Sequence, residues 1–243
     1  MIERAAAIKS EDELRCIVTS VTVAERGLRK IREHLQAGVT EQALWAHLPY
    51  ENAANGGEWF EYAILVSGER TNPWGRECSD KRIKVGELVG VDTGMIGPYG
   101  YGADISRTYL CEPAKPSAEK KRLYQTAIEN LSFNLELIQV GMSFREFAEK
   151  SWPVPDEFYA RRYNSVAHGV GMGNEWPHIP FAADWNKDDE REGVFEENMV
   201  MAIESCVALE DEGECVKLED MVAVKNGKAQ LLSTFPFEEN LLH

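Results

Sequence analysis

The chain has 243 residues, with 26 basic side chains against 41 acidic ones and a formal net charge of −15. That balance argues against nucleic acid and anionic membranes as partners, since both need a basic surface. An apolar share of 44% provides for one large domain or two small ones and is too high for a disordered chain. No apolar run is long enough to span a membrane, and the charged first residues lack a secretory segment. Cysteines stand at 16, 78, 111, 206 and 215 with no C-x-x-C spacing. Reduced thiols and a cytoplasmic location are the expectation.

The first element runs from about Ser10 to Gln36. Ser10 followed by Glu13 is a capping box, and Leu14, Ile17, Val18, Val21, Leu28, Ile31 and Leu35 recur at helical spacing. Gly38 ends it. Thr40 caps a second helix to about Ala54, stopped by Gly56 and Gly57. Tyr62 to Ser67 reads as a strand. Glu87 to Thr93 and Tyr101 to Leu110 read as two strands around a Gly/Pro-rich loop. A helix is predicted over 117–139 and a short one from Ser143. Ser165 to Val170 is a weaker strand. Met199 to Leu209 and Glu214 to Val224 form a second pair, and Asn226-Gly227 turns the chain into a last strand over 228–233. The acidic run 187–192 reads as a solvated loop. The order predicts an α+β domain with helices covering one face of a curved, mostly antiparallel sheet.

Four acids differ from the rest: Asp92 in VGVDTG, Asp104 in GADISRT, Glu204 in MAIESCV and Glu219 in VKLEDMV. Each lies inside an apolar, strand-like run, where an unpaired carboxylate is costly. Two hairpins side by side can aim both pairs at one point, and His168 in VAHGVGMG adds a nitrogen donor. This oxygen-rich set with one imidazole suits Mn, Fe(II), Co or Zn rather than a thiolate-selective metal. The alternative for each acid is a structural ion pair. Arg107 stands three residues from Asp104, and Asp220 is the candidate for an exposed neighbour of Glu219. Taken alone, these patterns leave a metal site and a set of structural pairs about equally supported.

The motif order resolves more. VDTGMIGPYGYGADISRTY (91–109) resembles the first metal motif of the methionine aminopeptidase, prolidase and creatinase superfamily. HGVGMGNEWP (168–177) resembles its histidine motif, and ENMVMAIES (197–205) and KLEDMVAV (217–224) resemble its two glutamate motifs. IKSEDELRCI (8–17) is similar to the start of the catalytic domain in prolidase-type members. The resemblance covers about residues 7–233. It implies the pita-bread fold, with two pseudo-twofold related halves and a dinuclear site of two divalent ions (Mn, Fe, Co or Zn). The implied metal ligands are Asp92, Asp104, His168, Glu204 and Glu219. In the family's peptidases a hydroxide between the metals attacks the peptide carbonyl, and the residue matching Glu204 also transfers a proton. The resemblance further implies a homodimer acting on a short peptide or small molecule. It also makes 1–243 a single catalytic domain, without the N-terminal domain of prolidase-type members.

Departures from the pattern qualify the activity. Trp74, in SGERTNPWGRE, stands near the place of one accessory histidine of the peptidases, and Asn174-Glu175-Trp176-Pro177 replaces the H-E-x-P segment holding the other. Ser205-Cys206 replaces Pro-Gly after the first glutamate. The combination TNPW, DISR and HGVG-x-x-x-E-W-P is similar to a side branch that includes metal-dependent dimethylsulfoniopropionate lyases. Those lyases carry a further aspartate where this chain has Gly94, and an aspartate base where it has Asn174. Trp74, Asn174 and Trp176 are the expected substrate-binding residues. Trp59 and Trp185 read as core or contact residues, Cys206 as a small buried residue on the Glu204 face, and His178 as a candidate to replace a missing histidine. The leading expectation is a metallopeptidase of Xaa-Pro dipeptidase or aminopeptidase type. A metal-dependent lyase on a small zwitterion, or a binding homologue without catalysis, stand as alternatives.

Overall fold

The computed structural model describes residues 2–185, 192–210 and 213–242, so all but the last residue of the acidic run 187–192 lies outside the described residues. The helices are α1 (Ile2–Ala6), α2 (Glu11–His34), α3 (Glu41–Trp45), α4 (His47–Ala54), α5 (Ala118–Leu137), α6 (Phe144–Lys150), α7 (Asp156–Tyr159) and α8 (Glu239–Leu242). The strands are β1 (Leu65–Ser67), β2 (Leu88–Asp92), β3 (Met95–Ile96), β4 (Gly102–Ala103), β5 (Ser106–Leu110), β6 (Ala167–Val170), β7 (Asn174–Ile179), β8 (Val200–Val207), β9 (Val216–Lys225) and β10 (Lys228–Leu231).

Both arms of the capping box form at the start of α2: the Glu13 amide donates to Ser10 Oγ, and the Ser10 amide donates to Glu13 Oε2. Leu14, Ile17, Val21, Ala24, Leu28 and Ile31 form its buried stripe. Gly27 lets α4 approach closely, since a Cβ there would meet Leu48 Cδ1 at 2.3 Å. The single helix expected over 40–54 is two, α3 and α4, meeting at Ala46. Pro49 has no N–H to donate to the Trp45 carbonyl, so the helical ladder cannot run through.

The strands form a three-stranded sheet β1-β2-β5, a five-stranded sheet β10-β9-β8-β6-β7 and a ribbon β3-β4, all antiparallel. Of the segment Tyr62 to Ser67, only the last three residues join a ladder. The strand expected over 101–110 is interrupted at Asp104 and Ile105. The strand β7 was not predicted, because its Asn, Glu and Pro content hides it.

Alternation along β8 and β9 divides the core. Met201, Ile203, Val222 and Val224 pack into one apolar cluster with Leu123, Leu131 and Phe144 from α5 and α6. Val200, Ala202, Met221 and Ala223 pack into the other, with Ile17, Leu28 and Leu48 from α2 and α4 and with Leu65, Val89 and Val91 from the three-stranded sheet. Glu204 and Glu219 share the parity of this second set. They therefore face the three-stranded sheet.

The two sheets are joined through side chains of β5. Thr108 Oγ1 donates to the Lys217 carbonyl at 2.9 Å and accepts from the Lys217 amide at 3.1 Å. Arg107 is buried. It donates to the Glu219 carbonyl at 2.8 Å, to Asp220 Oδ1 at 2.7 Å and to the Phe235 carbonyl at 2.6 Å. Arg107 thus pairs with Asp220 and not with Asp104. Asp220, expected to be exposed, is 4% exposed because this pairing needs it inside. Arg107 fixes the Glu219 carbonyl and the Asp220 side chain before any ion is considered.

Candidate metal centre

Asp92 ends β2, opposite Ser106 of β5. Asp104 lies two residues earlier, in the break between β4 and β5, where it is free of ladder geometry and turns inward. Glu204 and Glu219 are direct cross-strand partners in β8 and β9. His168 sits on β6, opposite Ala202 of β8. All five expected metal ligands are buried, each 5% exposed or less.

Their atoms divide into two groups. His168 Nε2 faces Glu204 Oε1 at 3.4 Å, Glu219 Oε1 at 3.5 Å and Asp104 Oδ2 at 3.8 Å. Asp104, His168 and Glu219 meet the geometry of a metal-holding group. The remaining carboxylate oxygens are held by protein. Tyr62 Oη donates to Asp104 Oδ1 at 2.8 Å and lies 3.2 Å from Asp92 Oδ1. The Gly94 amide donates to Asp104 Oδ1 at 3.3 Å, and Ser106 Oγ donates to Glu219 Oε2 at 2.8 Å. Lys217 Nζ lies 2.6 Å from Glu204 Oε2, 3.0 Å from Glu219 Oε2 and 3.7 Å from Asp92 Oδ2.

A divalent ion fits the first group. Metal–ligand bonds of about 2.1 Å separate tetrahedral ligands by about 3.4 Å, close to the spacings around His168 Nε2. These are long for hydrogen bonds; among the described residues, Glu219 Oε1 in this group and Glu204 Oε2 beside Lys217 are both buried without a hydrogen-bond partner. His168 Nδ1 faces the Gly169 carbonyl at 3.1 Å, so in the neutral ring Nδ1 carries the proton and Nε2 is left as a donor to metal.

The electrostatics agree. Burial raises Asp104 well above the usual carboxylate range, and the charges of Glu219 and Asp92 add to it. Burial also raises Asp92 against the pull of Lys217, and raises Glu204 with help from Glu219. Glu219 is lowered: burial opposes its charge, but Lys217, His168 and Ser106 outweigh that cost. Burial would lower His168, but the facing oxygens of Glu204 and Glu219 and the charge of Asp104 raise it well above the imidazole range. Without an ion the cluster compensates by holding protons. A divalent cation removes the need for them.

Sequence reasoning missed Lys217, Tyr62 and Ser106. Lys217 shares a face with Glu219 by strand alternation, a signal available in VKLED. Tyr62 is tied to Gly94. A Cβ at Gly94, whose φ is +39°, would lie 2.5 Å from the Tyr62 ring. The space a side chain at position 94 would take is thus occupied by a tyrosine that hydrogen-bonds the ligands.

Trp74 reaches the site. Its ring lies 5.9 Å from Lys217 Nζ, and it lines a cavity of about 380 Å³ with Tyr163, Arg161, Arg162 and Cys206. Gly90 makes room for that ring, since a Cβ there would meet Trp74 Cζ3 at 2.6 Å. Asn174 is exposed at the rim, its amide 3.3 Å from Glu61 Oε1, and shares a narrow recess with Gly94, Gly173 and Asp104. Trp176 is placed elsewhere, edge-on to Phe144 at 5.3 Å and beneath Arg4. The register between β6 and β7 shifts so that His168 pairs with His178 while Gly169 pairs with Glu175. The two residues between these pairings, Trp176 and Pro177, are not paired with β6, so the ladder does not hold Trp176 beside His168. The same shift sets His178 beside the site, its ring centroid 6.4 Å from that of His168. Cys206 Sγ lies 3.3 Å from Cys215 Sγ, on the wall of the Trp74 cavity.

Residues 15–226 match metallopeptidase family M24. The chain belongs to that family. It is 34% identical over its whole length to a dimethylsulfoniopropionate lyase DddP of Roseovarius nubinhibens, spanning 55% of that protein. It is 30% identical over 93% of its length to a Xaa-Pro dipeptidase of Pyrococcus horikoshii, spanning 63% of that protein. Prolidase from Pyrococcus furiosus superposes on 96% of the chain and covers 67% of its own, with a TM-score of 0.83 at 27% identity. The pita-bread fold is therefore that of this M24 member. The chain spans little more than half the length of the lyase relatives and under two thirds of the dipeptidase.

Proposed function

We propose that this chain is a metal-dependent hydrolase acting on short peptides, of the Xaa-Pro dipeptidase type. The observation that carries the reading is the meeting of Asp104, His168 and Glu219, whose ligand atoms lie within 4.8 Å of one another, with Glu204 Oε1 3.4 Å from His168 Nε2. An ion held by Asp104, His168, Glu204 and Glu219, with a second beside Asp92, would supply Lewis acidity and a water of lowered pKa. Glu204 is the catalytic base: its buried carboxylate, beside His168 at the site, takes up the proton of the attacking water and passes it to the leaving amine. His178, beside His168 on the open side, takes the place of a missing accessory histidine and donates to the oxygen of the scissile group. Trp74 and Tyr163 supply an apolar wall, and Asn174 a polar group at the opposite rim.

A second reading has its own support, the 34% identity to a dimethylsulfoniopropionate lyase. Against it stand Asn174, a neutral amide that cannot accept a proton as a carboxylate does, and Gly94 beneath Tyr62. One experiment separates the two. Metal-loaded protein is given a panel of Xaa-Pro dipeptides and, separately, dimethylsulfoniopropionate, with free amino acid and volatile sulfide as readouts. Release of amino acid that stops when chelator is added supports the hydrolase. Sulfide release without peptide cleavage replaces it with the lyase.

A further inference from the structure

Lys217 is the unusual group in this site. It is fully buried, on the strand that carries Glu219, and its ammonium touches oxygens of Glu204, Glu219 and Asp92. Ser106 Oγ lies 2.8 Å from Nζ, and the rings of Tyr163 and Trp74 lie 4.9 and 5.9 Å from it. None of the oxygens it touches is among those facing His168. The ligand atoms thus form a set open to an ion at the His168 end, and a set at the Asp92 end already occupied by a side-chain cation.

We propose that Lys217 is a resident counter-cation that makes the two ends unequal. The His168 end holds one divalent ion tightly, and Lys217 competes with a second ion for Glu204, Glu219 and Asp92. Charge and geometry both point this way. Four carboxylates gathered in an apolar interior need compensation in the metal-free protein, and Lys217 supplies a fixed positive charge beside the protons the cluster holds. A second divalent ion held by Asp92 and Glu219 would then sit close to a fixed like charge that cannot move into water. The lysine stabilises the metal-free state at the expense of double occupancy. It acts through the ligands and is a positioning residue.

This inference rests on the metal-site reading above, and its test does not depend on turnover. Metal-free protein is titrated with Mn²⁺ alone in a calorimeter, and thermal melts are recorded at zero, one and two equivalents, for wild type, Lys217→Met and Lys217→Arg. Wild type is expected to bind one ion tightly and a second at least about a hundredfold more weakly, within the range of site–site couplings. Lys217→Met is expected to narrow that gap about tenfold or more, and to melt lower than wild type when empty but not when loaded. Lys217→Arg keeps the charge and should keep the gap. If Lys217→Met folds only with Mn²⁺ present, the proposal is supported. If it cannot be obtained at all, the wild-type steps decide. Two steps of equal affinity in wild type, or a gap unchanged in Lys217→Met, overturn the proposal while leaving the metal site standing. Absence of any Mn²⁺ binding in wild type overturns both.

Discussion

At Asp104 one oxygen faces His168 while the other accepts from Tyr62 Oη and the Gly94 amide. That division turns a carboxylate into a directed ligand, and it depends on residues that carry no charge. Removing the Tyr62 hydroxyl leaves the fold intact and frees Asp104 to rotate. Tyr62→Phe is expected to weaken metal binding by about ten- to a hundredfold, the usual cost of losing a hydrogen bond behind a ligand. Affinity within twofold of wild type would show that the tyrosine does not orient the site. The raised pKa values of Asp104 and Glu204 set the direction of the pH effect. In the empty protein their protonated forms persist to higher pH than usual, and an ion must displace those protons. Metal uptake therefore weakens as pH falls through the raised values and strengthens as pH rises above them. Calorimetric heats should vary with the ionisation enthalpy of the buffer. Constant affinity between pH 5 and pH 8 would contradict this. The ligands were legible in the sequence because an acid in an apolar strand-like run is conspicuous. Their partners were not. A tyrosine in YAILVS or a serine in DISRT looks ordinary, and only the three-dimensional meeting of β1, β5 and β9 gives them a role.

Among the elements, β9 carries the most. Its residues alternate between Glu219 and Lys217 on the site face and Leu218 and Asp220 on the other side, and Arg107 from β5 clamps it at the Glu219 carbonyl and Asp220. Arg107→Met leaves Asp220 buried without its ion pair. Breaking a pair at this depth costs about 3–5 kcal/mol, and for a domain of this size the melting temperature should drop by more than about 6 °C. A melt unchanged within 2 °C would mean that the clamp does not hold the sheets together. Helix boundaries followed from capping: Ser10, Thr40, Ser117 and Ser143 each accept an amide of the first turn, as their positions before apolar periodic runs indicate. The strand boundaries were less legible. The run over 101–110 reads as one strand, yet it breaks at Asp104 and Ile105, where Gly102, Ala103 and Asp104 weaken the β preference. Trp176 was out of reach for a related reason, since a two-residue register shift is invisible to a period-two reading.

In the molecule as a whole, the fold brings two antiparallel sheets face to face and places the ligands between them, on the face of the five-stranded sheet away from α5 and α6. The net charge of −15 counts four buried carboxylates whose charge an ion would offset, so the folded surface is less acidic than composition suggests. Family membership fixes the scaffold and the kind of site but not the reaction. Trp74 against Gly90, Tyr62 against Gly94 and His178 beside His168 are the places where this chain sets its own pocket. The central claim is that Asp104, His168, Glu204 and Glu219 hold a divalent ion. Anomalous diffraction from crystals grown with Mn²⁺ tests it most directly. The account predicts a peak about 2.0–2.2 Å from His168 Nε2, within reach of the three carboxylates. A fully occupied crystal with no peak there, or with its only peak on the protein surface, would contradict it.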